Sequence, residues 1–312
     1  MIPTTHFLPL RARTRRRQSA GITLIELMIS MVIGLVLIGV LISLYSGTVG
    51  TNTVANAQAE MNEDAQFALK VISGQLRQAG YNPVHPGRTT LNPLPGGFPV
   101  FGCDNGFSNP VVAASADLLT CNAAASAGGH AIVATYEADI YNTIPSGGIP
   151  TNCLGEALPV RSFVESGVTY NYYVAENRLY VKNNTLYCAG VSAATQEQPL
   201  VDNVERIEFS YGASSPTTTS RAVVGYLTAT ELGAATGTSA GVHAQLTALT
   251  AADRWAEALT VRVCVLMRSA KPVFEEDASY YGCDTSALGP ADKYLRRAYV
   301  TTVALRNRIG TP

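Results

Sequence analysis

The stretch Ser19-Ala20-Gly21-Ile22-Thr23-Leu24-Ile25-Glu26-Leu27-Met28-Ile29-Ser30 decides the fold of this 312-residue chain. Five arginines between positions 11 and 17 precede it, and the chain is almost wholly apolar from Ile22 to Leu44. Glu26 alone interrupts this run, and the next charged residue is Glu60. About 20 apolar residues are enough for a helix to cross the hydrocarbon core of a bilayer. The pattern therefore predicts a transmembrane helix over residues 22–45, preceded by a basic leader of residues 1–21.

The charges around this helix predict its orientation, because arginines precede it and none follows closely, which keeps the N-terminus in the cytoplasm. A cleaved secretory signal would have a shorter apolar core, of about 7–15 residues, and an A-x-A-like cleavage site. The far end of this run, near Leu44, has no clear site of that kind. A plain signal anchor explains the arginines and the length but leaves Glu26 without a purpose, since a carboxylate inside a membrane segment is costly and indicates a function.

Gly21 followed by Ile22-Thr23-Leu24-Ile25-Glu26 closely resembles the processing site of type IV prepilins, pseudopilins and related filament subunits. In that family a prepilin peptidase cuts after the glycine and methylates the new N-terminus. The resemblance therefore implies cleavage between Gly21 and Ile22 and an N-methylated Ile22, although the family usually has Phe at this position. The new α-amine of Ile22 would lie at the membrane depth of Glu26 in a neighbouring subunit, where the opposite charges offset part of each other's desolvation. Glu26 is thus the expected assembly carboxylate.

A second apolar stripe, at three- and four-residue spacings, follows the membrane run and predicts an amphipathic continuation of the helix over residues 46–80. Gly80, with Pro83 shortly after it, is a helix-ending signal. We predict that residues 81–312 form a β-rich globular domain, with an irregular connection over 81–129 and a mobile surface excursion over 212–250. The strand patterns cover residues 131–136, 204–209, 258–268 and 298–307, and a hairpin of residues 168–174 and 178–182 that turns at Glu176-Asn177.

All six cysteines follow the membrane run, on the side that the charge pattern places outside the cytoplasm. An even number of cysteines in that compartment favours disulfides. Among the possible pairings we favour the sequential one, because each sequential pair brackets a loop-rich stretch. The expected pairs are Cys103–Cys121, Cys153–Cys188 and Cys264–Cys283. No C-x-x-C occurs and the histidines are scattered, so neither a zinc site nor any other metal is expected.

The end of the chain resembles the PilW branch of minor pilins, and the J-type pseudopilins of type II secretion end in a similar way. The resembling features are a strand that ends in Arg268-Ser269, an acidic and Tyr-rich insert, Arg296-Arg297 and a last strand that closes with residues 302–307. The resemblance implies an α+β, type IV pilin-like fold. In that fold a long N-terminal α-helix packs on an antiparallel β-sheet domain with long loops and disulfides.

The sequence has no H-E-x-x-H, Walker or dinucleotide motif, and we expect neither an enzyme nor a cofactor. Removing residues 1–21 leaves 17 basic against 23 acidic residues. There is no basic patch rich in aromatic residues, so no nucleic-acid partner is expected.

The family implies a minor pilin that helps to initiate or cap a type IV pilus, with the globular domain in the periplasm, a single pass through the inner membrane and, after assembly, a place at the pilus tip. The implied partners are the prepilin peptidase, other minor pilins and the major pilin, with a tip adhesin as a further candidate. Two alternatives stay open. One is a minor pseudopilin of type II secretion, and the other is a membrane-anchored periplasmic enzyme or binding protein, which would have no use for Glu26.

Overall fold

The computed structural model describes residues 21–86, 88–192, 196–215, 221–234, 245–284, 289 and 291–309. The basic leader that the sequence predicts, up to residue 20, lies outside the described residues, as does much of the predicted excursion over 212–250. The chain divides into two compact units, Met1–Asn52 and Thr53–Pro312, and each is described by itself.

The first unit consists, in its described part, of Gly21–Thr23 and the beginning of helix α1, which spans Leu24–Gln78. None of its described residues is buried, and large apolar side chains such as Leu24 and Leu41 are 79% and 64% exposed. This helix is long and apolar enough to cross a membrane, by length and composition. A helix that is apolar on all faces needs an apolar environment around it, and the unit itself supplies none.

In the second unit α1 buries one face against the sheets. The buried residues recur every three to four positions, as expected for one face of a helix, and they are Met61, Ala65, Ala68, Ile72 and Leu76. The helix ends at Gln78, and Gly80 has a φ of 76°. That left-handed conformation two residues after the last helical residue is favoured by glycine. The helix end that the sequence predicts at Gly80 is therefore confirmed.

Eleven strands in the described residues form three antiparallel sheets. The first sheet has the order β1-β2-β5-β6-β7, the second β11-β10-β8-β9, and β3 pairs with β4 alone. The bounds are β1 Val100–Cys103, β2 Ala131–Glu137, β3 Arg161–Glu165, β4 Val168–Tyr172, β5 Val174–Lys182, β6 Thr185–Ala189, β7 Glu197–Asp202, β8 Val204–Ser214, β9 Val223–Leu227, β10 Ala258–Arg268 and β11 Arg296–Ala304. The described residues of the unit also contain the short α-helices α2 Ala229–Ala234, α3 Ala251–Ala256 and α4 Arg306–Ile309, and two 3-10 turns at Pro95–Gly97 and Ala116–Leu118.

One hydrophobic core joins the two larger sheets to the buried face of α1. It contains Ile132 and Leu179 from the first sheet and Ile207 and Val263 from the second. Trp255 lies in the same core, with its ring 4.9 Å from that of Tyr211. The α+β class, with a long N-terminal helix packed on antiparallel sheets, is thus confirmed.

The hairpin that the sequence predicts with a turn at Glu176-Asn177 is wrong. β5 runs straight through both residues and pairs with β2 and β6, while β4 pairs with β3. Glu176 and Asn177 are fully buried, and distant groups satisfy their side chains. Polar residues that are hydrogen-bonded in this way can occupy the middle of a buried strand.

Two other boundaries differ from the sequence expectation. The described part of the 212–250 segment contains β9 and α2, so it is not a continuous surface excursion. The last strand begins at Arg296 and ends at Ala304, after which the chain turns into α4.

Three disulfides occur in the second unit: Cys103–Cys121, Cys153–Cys188 and Cys264–Cys283. This is the sequential set that the loop-rich stretches favour. They close sequence separations of 18, 35 and 19 residues. All six cysteines are paired, and each bond fastens a loop to a strand or its edge.

Candidate processing and assembly site

Gly21 lies exposed just before α1, and nothing in the chain itself demands a glycine there. A Cβ atom built on it would meet no atom within 4 Å. The backbone φ of Gly21 is not in the positive range that favours glycine. The first described residue with a φ in that range is Gly80. The described residues therefore place no structural requirement for a glycine at this position.

Thr23 and Glu26 form a capping box at the start of α1. The Glu26 amide donates to Thr23 Oγ1 at 3.3 Å, and the Thr23 amide donates to Glu26 Oε2 at 3.4 Å. The first helical hydrogen bond runs from the Leu27 amide to the Thr23 carbonyl at 3.1 Å. Such a reciprocal pair satisfies amides that a helix start otherwise leaves without partners. The sequence analysis missed this role, although its signal, T-x-x-E before an apolar run, is present.

The surroundings of Glu26 are apolar and contain no cationic side chain close in sequence. Ile22 and Ile25 are 75% and 67% exposed, so the chain itself does not cover them. No lysine, arginine or histidine occurs between Gln18 and Leu69. After a cut behind Gly21, the α-amine of Ile22 would be the one cation that this part of the chain contributes. After such a cut, Ile22 would provide one positive charge and Glu26 one negative charge at the N-terminal end of the apolar helix.

Three other polar side chains of the apolar segment bond to their own helix. Ser30 Oγ donates to the Glu26 carbonyl at 2.7 Å, and Thr48 Oγ1 donates to the Leu44 carbonyl at 2.9 Å. Thr51 Oγ1 does the same with the Gly47 carbonyl at 3.0 Å. Hydroxyls satisfied in this way are compatible with an apolar environment. Glu26 is therefore the one charged side chain between Gly21 and Ala59.

The predicted site residues fall into two groups. Gly21, Ile22 and Glu26 lie together at the start of α1, whereas the six cysteines lie in the second unit. The sequence analysis also missed a buried charged group on β5. Arg178 donates to the Pro110 and Ala113 carbonyls at 2.6 and 2.7 Å, and Glu176 accepts from Arg161 Nη2 at 2.5 Å.

The charges on β5 hold a loop in place. The Ala116 amide also donates to Glu176, so both side chains hold the loop around residues 110–116 against the sheet. Burial raises the pKa of Glu176, and the nearby Arg161 works against this rise. Burial likewise lowers the pKa of Arg178, with Glu176 opposing the change.

Comparison with known families finds two matches. Residues 171–307, from β4 to α4, match the family described as Type IV Pilus-assembly protein W. Residues 16–42 match the prokaryotic N-terminal methylation motif, which includes Gly21, Ile22 and Glu26. No curated protein matches the sequence.

A solved structure that is similar to the chain is the type IV-like pilin TTHA1219 from Thermus thermophilus. The two share 11% identity, with a TM-score of 0.35 over 79% of this chain and 96% of that one. A similarity at this level carries no argument about fold or function.

Proposed function

We propose that this chain is a pilin subunit of the PilW type, and that it is a minor pilin that helps to initiate or cap assembly of a type IV pilus. The observation that carries the proposal is the register at the start of α1. Gly21 has no role in the described fold of the chain, Ile22 would become the new N-terminus, and Glu26 lies four residues later in the first turn of α1, which buries no residue within the first unit. This arrangement suits a subunit that is cut, held in the membrane and then packed against other apolar helices.

The proposed partners follow from the same register. Prepilin peptidase would cut behind Gly21 and methylate Ile22, and the α-amine would pair with Glu26 of a neighbouring minor or major pilin. The N-terminal motif and the apolar helix support an anchor in the inner membrane. The periplasmic location of the second unit, the later position at the pilus tip and contact with a tip adhesin are parts of the proposal. The role of this subunit is structural rather than catalytic.

The match of residues 171–307 to a pilus-assembly family favours a pilus over type II secretion. A membrane-anchored enzyme would need a site with converging catalytic groups, and the buried charges of β5 instead hold backbone carbonyls and amides.

The proposal is tested by the mass of the chain extracted from membranes. We expect a chain that begins at Ile22 and carries one extra methyl group. Gly21→Phe should keep the leader, because the fold leaves room for the ring and only the peptidase would reject it. Gly34→Phe is the matched control, since a Cβ at Gly34 also meets no atom within 4 Å, and its leader should still be removed.

A wild-type chain that retains its leader, or that is cut near Gly47 as a signal peptide would be, contradicts the proposal. So does a Gly21→Phe chain that is cut as efficiently as the wild type.

A further inference from the structure

β11 is an edge strand of the second sheet, and in the described part of the chain no strand pairs with its outer side. It pairs with β10 over nine consecutive residues, from Arg296 to Ala304, without a register shift. Its inner face is fixed, because Tyr299 Oη donates to Asn62 Oδ1 of α1 at 2.5 Å and Val303 is buried in the core. β11 is therefore a long, regular and firmly held edge.

The hydrogen bonds at the two ends of β11 show which of its backbone groups point outward. The Leu305 amide donates to the Leu259 carbonyl at 2.8 Å, and the Leu295 carbonyl accepts from the Ser269 amide at 2.8 Å. Because the direction of the backbone groups alternates along an antiparallel strand, the odd-numbered residues of β11 bond to β10. The even-numbered residues point their amides and carbonyls away from β10, and they are Arg296, Ala298, Val300, Thr302 and Ala304.

These outward backbone groups are free and accessible in the part of the chain that the structure describes. The backbone hydrogen bonds formed outside the strand ladders involve none of the five residues. None of the five is buried, and Val300 is 59% exposed. Another chain can therefore reach a continuous row of donors and acceptors. Such a row is a template for an added strand.

The other edges of the two larger sheets are less suited to an added strand. β7 contains Pro199, which has no amide hydrogen to donate, and its pairing with β6 has a register shift between Leu186 and Tyr187. β9 has only five residues and a register shift as well, and β1 has only four residues. Proline, bulges and short strands are common ways in which proteins protect their edges. β11 has none of these features.

The exposed charges of β11 and the residues just after it are positive and lie at opposite ends of the strand. From Ala298 to Ala304 the strand has no charged residue, whereas Arg297 precedes this stretch and Arg306 follows it. Both arginines are exposed, and neither forms an ion pair with a carboxylate of the described residues. Arg296 differs, since it pairs with carboxylates of its own chain. The open edge is thus uncharged at its centre and basic at both ends.

This charge distribution decides between a second copy of the chain and a different partner. Two copies of β11 paired antiparallel would bring Arg297 of one copy close to Arg306 of the other, and parallel pairing would bring the same arginines together. Like charges that face each other destabilise paired strands. A strand with a carboxylate at each end would instead meet an arginine at each end, whichever direction it runs.

We propose that β11 binds an extended segment of another protein by strand addition, and that this segment has an uncharged, β-branched centre with carboxylates at both ends. The β-branched centre matches the exposed Val300 and Thr302, because β-branched side chains pack well across paired strands. This inference goes beyond the proposed function, because strand addition by the second unit requires neither a cut behind Gly21 nor packing of the apolar helices.

The test uses the full chain in detergent and a designed peptide as the probe, acetyl-Asp-Glu-Val-Thr-Val-Thr-Val-Thr-Glu-Asp-amide. One control peptide has lysines in place of the acidic residues, and a second has N-methyl groups on its inner amides, which removes their hydrogens. Fluorescence anisotropy of labelled peptides gives the affinities. We expect the acidic peptide to bind, the lysine peptide to bind about tenfold more weakly, and the N-methylated peptide not to bind.

Amide hydrogen exchange locates the added strand. Binding of the acidic peptide should slow exchange at Ala298, Val300 and Thr302, because their amides point outward. It should leave Tyr299 and Thr301 unchanged, because their amides already bond to β10. Only a strand added at this edge gives protection that alternates along β11.

Two variants separate the backbone from the charges. Val300→Pro removes one outward amide hydrogen and leaves the bonds to β10 in place, so it should weaken the acidic peptide about tenfold. Val300→Thr is the matched control, since it keeps the amide hydrogen and the β-branched shape, and it should bind as the wild type does. The double variant Arg297→Glu with Arg306→Glu leaves the backbone unchanged and should prefer the lysine peptide. Circular dichroism of each variant checks the fold.

No binding of the acidic peptide, equal affinity for the N-methylated peptide, or protection that does not alternate would overturn the inference. So would a double variant that still prefers the acidic peptide. Alternating protection that appears without peptide as the protein concentration rises would mean that the edge pairs with a second copy, which also contradicts the inference. None of these measurements depends on processing at Gly21, so their failure leaves the proposed function to its own test.

Discussion

Thr23 and Glu26 hold the first turn of α1 through reciprocal hydrogen bonds at 3.3 and 3.4 Å. In an apolar environment the first amides of a helix have no water to bond with, so such a cap matters more there than at a wet surface. Glu26 thus has an established local role in the single chain and a proposed second role toward a neighbouring subunit. The two roles can be separated, since a glutamine at the same position also completes a capping box.

The cap itself gives the first prediction. Thr23→Val removes the hydroxyl that accepts from the Glu26 amide, and loss of such a cap costs about 0.5–2 kcal/mol. Amide hydrogen exchange of the full chain in detergent should therefore speed up over the first turn of α1, on the order of tenfold at Glu26. Thr23→Ser keeps the hydroxyl and should exchange at the wild-type rate. Unchanged exchange in Thr23→Val would show that the capping box does not stabilise the helix start.

Glu176 gives a second prediction, about pH. Burial raises the pKa of this carboxyl in the folded chain, with Arg161 opposing, so the folded state holds the proton more tightly than the unfolded state. The contribution to stability is then complete below the ordinary glutamate pKa of 4.5 and is lost as the pH rises through the raised value. Glu176→Gln lacks this titration. The difference in unfolding free energy, wild type minus variant, should therefore decrease between pH 4.5 and pH 7.

Urea unfolding of the full chain in detergent measures this difference, with the fluorescence of the chain's only tryptophan, the buried Trp255, as the signal. Asp277→Asn is a suitable control, because Asp277 is an exposed carboxylate in a loop. A difference that rises with pH for Glu176→Gln would mean that the ion pair with Arg161 outweighs burial.

At the scale of elements, the strands with a local pattern could be predicted from the sequence and the others could not. β10, at Ala258–Arg268, has the predicted bounds because its β-branched residues pack on both sides of a central strand. β5 could not be predicted through Glu176-Asn177, because the groups that satisfy these residues are remote in sequence. Asn177 Nδ2, for example, bonds to Gln75 Oε1 at 2.7 Å, and the two residues are separated by 102 positions.

The residues of the candidate site also divide into those that a local sequence pattern predicts and those that it does not. Gly21, Ile22 and Glu26 could be identified because their spacing is local. The capping role of Thr23 could also have been predicted, because its T-x-x-E signal is local. The buried charges on β5 could not be predicted, because Arg178 reaches the Pro110 and Ala113 carbonyls only in the folded chain. Local patterns report local structure, whereas such bonds depend on tertiary contacts.

The third prediction concerns the disulfides, which fasten loops to the sheets. Peptide mapping without reduction should recover Cys103–Cys121, Cys153–Cys188 and Cys264–Cys283 as the cross-linked pairs. Replacing both cysteines of any one pair by serine should lower the unfolding free energy by about 3–4 kcal/mol, because the closed loops are of similar length. A reduced sample is the control for the mapping. A cross-link between members of different pairs would contradict the sequential connectivity.

At the scale of the whole molecule, the two units differ in how much of their apolar surface they bury themselves. The second unit buries its own core between α1 and two sheets. The described part of the first unit buries nothing, so it needs lipid or other apolar helices around it. The glycines of this segment, such as Gly34 and Gly39, have no neighbouring atom within 4 Å of an added Cβ. They are consistent with close packing of neighbouring helices.

The central claim, that Glu26 guides assembly through its charge, is tested most directly by counting surface pili in cells whose only copy carries Glu26→Gln. Glutamine keeps the acceptor for the Thr23 amide but cannot pair with the α-amine of Ile22 in a neighbouring subunit. Glu26→Leu removes both functions and is the companion variant. Both chains should reach the membrane and lose the leader, and immunoblots should show wild-type abundance.

We expect few pili in both variants, because leaving one member of a buried charge pair without its partner costs about 3–5 kcal/mol. Wild-type numbers of pili with Glu26→Gln, at wild-type abundance, would contradict the claim. If Glu26→Leu alone lost its pili, Glu26 would act as a helix cap and not as an assembly charge.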